Sequence, residues 1–158
     1  MAELIRIVAV VLKGISAETA RQPDMECCGL LGGQNGIITR TYPADNELAS
    51  ATAYEIAPKD LFRIMRQIRA DGLELMGIYH SHPTGDNSPS PIDIDRAFYP
   101  DTIYFISSPV PASAGANPGR ATANPIRAFR IRDRIANELR MEPMMAPMHC
   151  VRCCSLVR

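Results

Sequence analysis

Two histidines one residue apart, at the end of a short apolar run, narrow the folds open to this chain more than anything else in it. Leu73, Leu75, Met76 and Ile78 lead into Tyr79-His80-Ser81-His82-Pro83, and Ser90-Pro91-Ile92-Asp93 follows. An apolar stretch this short, ending in polar side chains, reads as a strand leaving a core. Alternate residues of a strand share a face, so His80 and His82 can reach one ion together. Two imidazoles and a carboxylate are the ligand set of a catalytic zinc, which keeps its fourth position for water. Imidazole is a poor ligand for magnesium or calcium, so one zinc per chain is expected. On spacing alone Asp95 competes with Asp93, and an aspartate near a helix start can simply answer to the helix dipole.

The rest of the composition sets outer limits. At 158 residues the chain fits one domain. Seventeen acids balance seventeen bases, which argues against a protein built to coat nucleic acid or an anionic membrane. The arginines are scattered except for Arg127, Arg130, Arg132 and Arg134, read as a solvated strand edge. Residues 5–12 are too short to span a membrane and carry no signal-peptide pattern. Five cysteines, Cys27 and Cys28 with Cys150, Cys153 and Cys154, are an odd number that argues against a disulfide framework. The expected setting is cytoplasmic.

Along the chain, residues 5–22 read as a short strand or coil entering a helix, with a break at Pro23-Asp24. Residues 26–31 and 36–42 flank Gly32-Gly33-Gln34-Asn35 as a hairpin, and 52–56 read as a further strand. Pro58 opens a helix whose apolar spacing (Leu61, Ile64, Met65, Ile68) runs to Asp71-Gly72. After the histidine strand come a proline-rich loop at 83–90, a helix from Pro91 to about Phe98, and a strand at 102–107. Residues 109–124 read as a mobile surface loop. Strands at 126–131 and 135–141 close a domain of residues 1–142, and 143–158 form a Met- and Cys-rich tail expected to be disordered. Helices mixed with mostly antiparallel strands predict an α+β fold. Exposed strand edges would permit a homodimer without arguing for one.

The spaced pattern His80-x-His82-Pro83, Ser90, Asp93 and the upstream Glu26-Cys27-Cys28-Gly29-Leu30-Leu31-Gly32 resemble the JAMM (MPN-plus, Mov34/PAD-1) metallopeptidases. The likeness is to their small stand-alone prokaryotic form, and it runs over about residues 3–141. It implies a three-layer α-β-α, cytidine-deaminase-like arrangement with a mixed, mostly antiparallel central sheet flanked by helices. It assigns His80, His82 and Asp93 to zinc, Glu26 as general base, and Ser90 as the residue that steadies the water and the oxyanion. Read alone, Glu26 is a surface carboxylate at a strand start and Ser90 a helix cap. The resemblance also implies a ubiquitin-like or sulfur-carrier protein as substrate, cut after its C-terminal Gly-Gly to trim an extension or release an amino acid such as cysteine. Its tail would lie as an added strand near 46–56 and the 83–89 loop.

Two other readings stay open: a metalloamidase acting on a small peptide or conjugate, and a non-catalytic MPN scaffold. Cys27 and Cys28 read as small core residues on opposite faces of an extended segment, Cys28 on the face of Glu26. The tail run His149-Cys150-Val151-Arg152-Cys153-Cys154 holds a Cys-x-x-Cys without the second pair of a structural zinc site.

Overall fold

The computed structural model describes residues 3–84, 86–109 and 125–146. The expected mobile loop falls almost wholly outside these, as does most of the tail with its His149–Cys154 run.

Among the described residues, seven strands and three helices follow in the order β1 (Leu4–Val8), α1 (Ala9–Arg21), β2 (Cys28–Gln34), β3 (Ile37–Ala44), α2 (Pro58–Ala70), β4 (Glu74–Ser81), α3 (Pro91–Asp95), β5 (Ile103–Ser107), β6 (Ile126–Arg132) and β7 (Ile135–Met144). The strands form one mixed sheet in the order β1-β3-β2-β4-β5-β6-β7, and β1 also pairs with β7, so the sheet closes on itself. Antiparallel pairs prevail, with parallel pairing at β1/β3, β1/β7 and β4/β5. Helices combined with this sheet make the domain α+β, as expected.

Side chains alternate between the two faces of the strands and build two cores. One gathers Ile7, Val11, Ile15, Cys27, Leu31, Tyr79 and Phe105 around α1. The other gathers Cys28, Leu30, Ile78, Ile106 and Phe129 against Ile64 and Ile68 of α2. Burial of each such side chain is worth about 1.5–3 kcal/mol, so the closed sheet is sandwiched between two independent apolar contacts. Cys27 and Cys28 are both buried and free, one in each core, in keeping with their reading as core residues.

Several expectations need correction. The hairpin turns at Asn35-Gly36, whose φ values are 54° and 73°. A two-residue turn with both φ positive matches the twist of the flanking strands. Gly32 and Gly33 belong to β2 instead. Residues 52–56 are not a strand, because the Asn46 side chain takes over their main-chain bonding. The helix from Pro91 ends at Asp95: Phe98 N donates to Arg96 O at 2.8 Å and Tyr99 N to the Tyr104 hydroxyl at 3.0 Å, which draws the chain off the helical path.

At the C-terminal end, β7 runs two residues past the expected domain boundary at 142, pairing Pro143 with Ile7 and Met144 with Val8. A proline fits there because β6 no longer flanks β7 beyond Leu139. Nor is the arginine-bearing strand a free edge, since β6 lies between β5 and β7. Arg127 and Arg130 are half-buried in ion pairs with Glu138 and Glu3. Among the described residues every strand has a neighbour on both sides, so the edges invoked for a homodimer shrink to partial flanks.

Candidate metal centre

The site forms where β4 ends. The antiparallel register sets Cys28 opposite His80, and one step on, Ser81 N donates to Cys27 O at 3.0 Å. Continuing that register puts Glu26 across from His82. On the other side His82 N donates to Ser107 O at 2.8 Å, so the second histidine stays anchored after β4 has ended. The chain then loops through 83–90 and returns at α3, which brings Asp93 back to the two rings.

His80 Nε2 and His82 Nε2 lie 3.1 Å apart, and each is 3.2 Å from a different oxygen of Asp93. Zn–N bonds of about 2.0–2.1 Å give a tetrahedron edges of about 3.3–3.4 Å, close to these separations. Each of the three residues offers one ligand atom to the cluster. His82 Nδ1 donates to Asp86 O at 2.7 Å; a carbonyl only accepts, so in the neutral ring the proton sits on Nδ1 and the Nε2 lone pair faces the cluster. The residues therefore fit a metal with imidazole and carboxylate ligands. Asp95 is excluded from the cluster, since its carboxylate pairs with Arg134 instead.

Ser90 caps α3 reciprocally with Asp93. Its hydroxyl oxygen accepts from Asp93 N at 3.2 Å, while Ser90 N donates to Asp93 Oδ2 at 2.7 Å. The same capping box that starts the helix thus aims the carboxylate at the histidines.

Electrostatics follow from burial and from these contacts. His80 is 1 % exposed, and burial lowers its pKa against the opposing pull of Asp93. Burial also works to lower His82, but its bonds to Asp93 and the Asp86 carbonyl outweigh it and the net shift is upward. For Asp93, burial is overcome by the two histidines, which hold its carboxyl well below the usual range. Glu26 is 3 % exposed with Oε2 lacking a hydrogen-bond partner. Burial pushes its pKa up to about 7, with His82 opposing and Asp93 adding to the rise. A buried carboxylate poised near neutrality, beside a cluster of ligand atoms, is suited to carrying a proton. A cation bound in the cluster would pull that value back down.

The structure brings together all five residues singled out in the sequence: the three ligand candidates in contact, Ser90 bonded to Asp93, and Glu26 within electrostatic reach. It adds three that sequence reasoning missed. Tyr54 stacks on the His80 ring with centroids 4.6 Å apart and planes at 22°. Asn46 bonds to the main chain of Glu26. Arg127 reaches from β6 to the Ser88 hydroxyl at 2.7 Å, tying down the loop between His82 and Asp93. None lies in a periodic pattern with the histidines, so no local signal marks them.

Residues 8–131 match the family described as prokaryotic homologs of the JAB domain. The desampylase of Haloferax volcanii is 38% identical over 93 residues, 57% of this chain and 67% of that protein. A Thermus thermophilus protein named as a probable TtuB-protein conjugate cleaving protease is 36% identical over 96 residues, 58% of this chain and 64% of its own length. The CysO-cysteine peptidase of Mycobacterium tuberculosis is 30% identical over 103 residues, 63% of this chain and 70% of that protein. In three dimensions, the solution structure of a Desulfitobacterium hafniense protein superposes with a TM-score of 0.73 at 25% identity, covering 92% of this chain and 97% of that one.

Proposed function

Because the chain belongs to the family of prokaryotic JAB-domain homologs, we propose that it is a zinc metallopeptidase that hydrolyses the bond after the C-terminal Gly-Gly of a ubiquitin-like or sulfur-carrier protein. The observation that carries this reading is the convergence of His80, His82 and Asp93 beside the buried carboxylate of Glu26. Relatives whose names describe cleavage of a protein conjugate or of CysO-cysteine supply the substrate class. A non-catalytic scaffold has no use for a complete ligand set with a buried acid next to it. The domain is taken as residues 1–144, with α1 and α2 on opposite faces of the sheet supporting the three-layer, cytidine-deaminase-like arrangement. The proposed setting is cytoplasmic, in keeping with free thiols at Cys27 and Cys28. Among the described residues no helix is long and apolar enough to cross a membrane, and neither a membrane nor nucleic acid enters this reading.

A zinc ion held by His80, His82 and Asp93 would lower the pKa of its water towards about 7 and polarise the substrate carbonyl. Glu26 takes the proton from the attacking water and returns it to the leaving amine, a transfer worth typically about 10²–10⁴-fold in rate. Ser90 uses its oxygen lone pair in the helix cap, which leaves the hydroxyl proton free to donate to the oxyanion. The half-buried ring of Tyr54 stacked on His80 walls the site on one side and helps keep bulk water from the reacting groups.

The test is to incubate the zinc-loaded protein with a small ubiquitin-like carrier extended or conjugated beyond its diglycine and to follow intact mass. The expected result is a mass loss ending at the second glycine, absent in Glu26→Gln, with zinc content equal in both proteins. Equal turnover by Glu26→Gln would remove Glu26 as the base. Turnover of a free dipeptide as fast as that of the carrier would replace the protein substrate by a small amide.

A further inference from the structure

Resting on the reading of Glu26 as the proton carrier, we infer that Asn46 is the positioning residue for that base, joining its main chain and the stacked Tyr54 into one unit. An asparagine amide has two N–H donors and an oxygen with two lone pairs. Asn46 uses all four. Nδ2 donates to Glu26 O at 3.1 Å and to Ala53 O at 3.0 Å, while Oδ1 accepts from Leu48 N and Glu55 N, both at 3.1 Å. Two carbonyls on one end and two N–H groups on the other leave only one orientation of the amide with every bond made.

The partners matter as much as the number. Glu26 precedes β2 and its Oε2 has no hydrogen-bond partner, so the placement of its carboxylate depends on how its main chain is held. That main chain is gripped from both sides by the same loop: Glu26 O by Asn46 and Glu26 N by Ser50 O at 2.9 Å. Tyr54 sits between Ala53 and Glu55, two of the four residues whose main chain Asn46 binds, and it is Tyr54 that stacks on His80. Glu47 N donates to Glu55 O at 2.9 Å and closes the unit. One side chain thus relates the base to the ring beside a ligand histidine, across a stretch with no regular strand to do so. Misplacing a reacting group by about 1 Å can cost about 10²-fold in rate.

The experiment compares zinc-loaded wild type with Asn46→Ala and Asn46→Asp. The aspartate variant keeps the acceptor for Leu48 N and Glu55 N but loses both donors, and it serves as the deciding variant should the alanine protein not fold. On a carrier extended beyond its diglycine, kcat should fall about 10–100-fold with KM changed by less than about threefold, the signature of a group that acts in the transition state. Zinc per chain should stay at the wild-type value. Amide exchange at Glu26 should quicken, and the His80 ring protons should shift in the NMR spectrum as the Tyr54 stack loosens. Wild-type kcat in both variants, or a loss confined to KM, would overturn the inference, as would unchanged exchange at Glu26. If wild type cleaves no carrier, the activity reading fails; the exchange and ring-shift measurements then still decide whether Asn46 holds Glu26 and Tyr54.

Discussion

Ser90 performs two duties with different atoms, and they can be separated. Its oxygen accepts from Asp93 N, while its own N–H holds Asp93 Oδ2. Ser90→Ala removes the cap and the hydroxyl proton together but keeps the main-chain bond to the carboxylate. Loss of such a cap costs about 0.5–2 kcal/mol, which for a domain of this size lowers Tm by a few degrees, roughly 2–4 °C per kcal/mol. Loss of one oxyanion donor costs about 10²–10³-fold in kcat. Calorimetry and steady-state kinetics on the same variant should therefore show a mild stability loss with a large rate loss. A matching small loss in both would leave Ser90 as a cap alone. Glu26 is the complementary case, because it gives up hydrogen bonding for burial: Oε2 is without a partner and the pKa stands near 7, so removing its charge should cost activity without costing stability.

At the scale of elements, the three candidate ligands come from a strand end and a helix start joined by an irregular loop, and the loop needs its own restraints. Arg127 provides one, donating from Nη1 to the Ser88 hydroxyl at 2.7 Å while two other nitrogens engage Glu138 at 2.7 and 2.8 Å. Because His82 Nδ1 is held by Asp86 O in the same loop, loosening Ser88 loosens the orientation of the His82 ring. Arg127→Ala should weaken zinc binding, by less than the about 10–100-fold that losing a direct outer partner of a ligand costs, as read by competition with a chromophoric chelator. An unchanged affinity would confine Arg127 to an ordinary ion pair. These elements also show what could be read in advance. The period of two made the histidine strand legible, and the proline after Ser90 marked the helix that carries Asp93. Gly32-Gly33 misled, since glycine signals either a turn or lack of room. Here it is room: a Cβ on Gly33 would collide with the Ile37 carbonyl and Met76 Sδ. Asn46 and Tyr54 were illegible because their contacts are made across the fold, in a segment without periodicity.

For the molecule as a whole, closure of the sheet explains why charge at its seam can be felt in stability although the pairs there are exposed. Glu3, just before β1, pairs with Arg130 on β6 at 2.6 Å, reaching across β7, while Arg130 Nη1 also donates to Asp101 O at 2.9 Å. Arg130 on β6 therefore links the residue that precedes β1 to the segment that leads into β5, near where the ring of strands closes. The hydrogen bond to Arg130 lowers the Glu3 pKa below its ordinary value of 4.5, and Arg127 does the same for Glu138 across β6 and β7. The sign follows from linkage: a carboxyl whose folded pKa is depressed stabilises the protein above its unfolded value, and that stability is lost as pH falls through the folded value. Both glutamates are about half exposed, so screening limits each pair to about 0.2–1 kcal/mol. Arg130→Met should then lower Tm by no more than about 4 °C at pH 7, with the difference from wild type vanishing in acid once Glu3 is protonated in both proteins. High salt at pH 7 should shrink the same difference, because the pair is open to counterions. A Tm difference that persists undiminished in acid and in salt would mean that Arg130 acts through its packing and its bond to Asp101 O, and that the seam is held by the main-chain ladder of β1 and β7 alone.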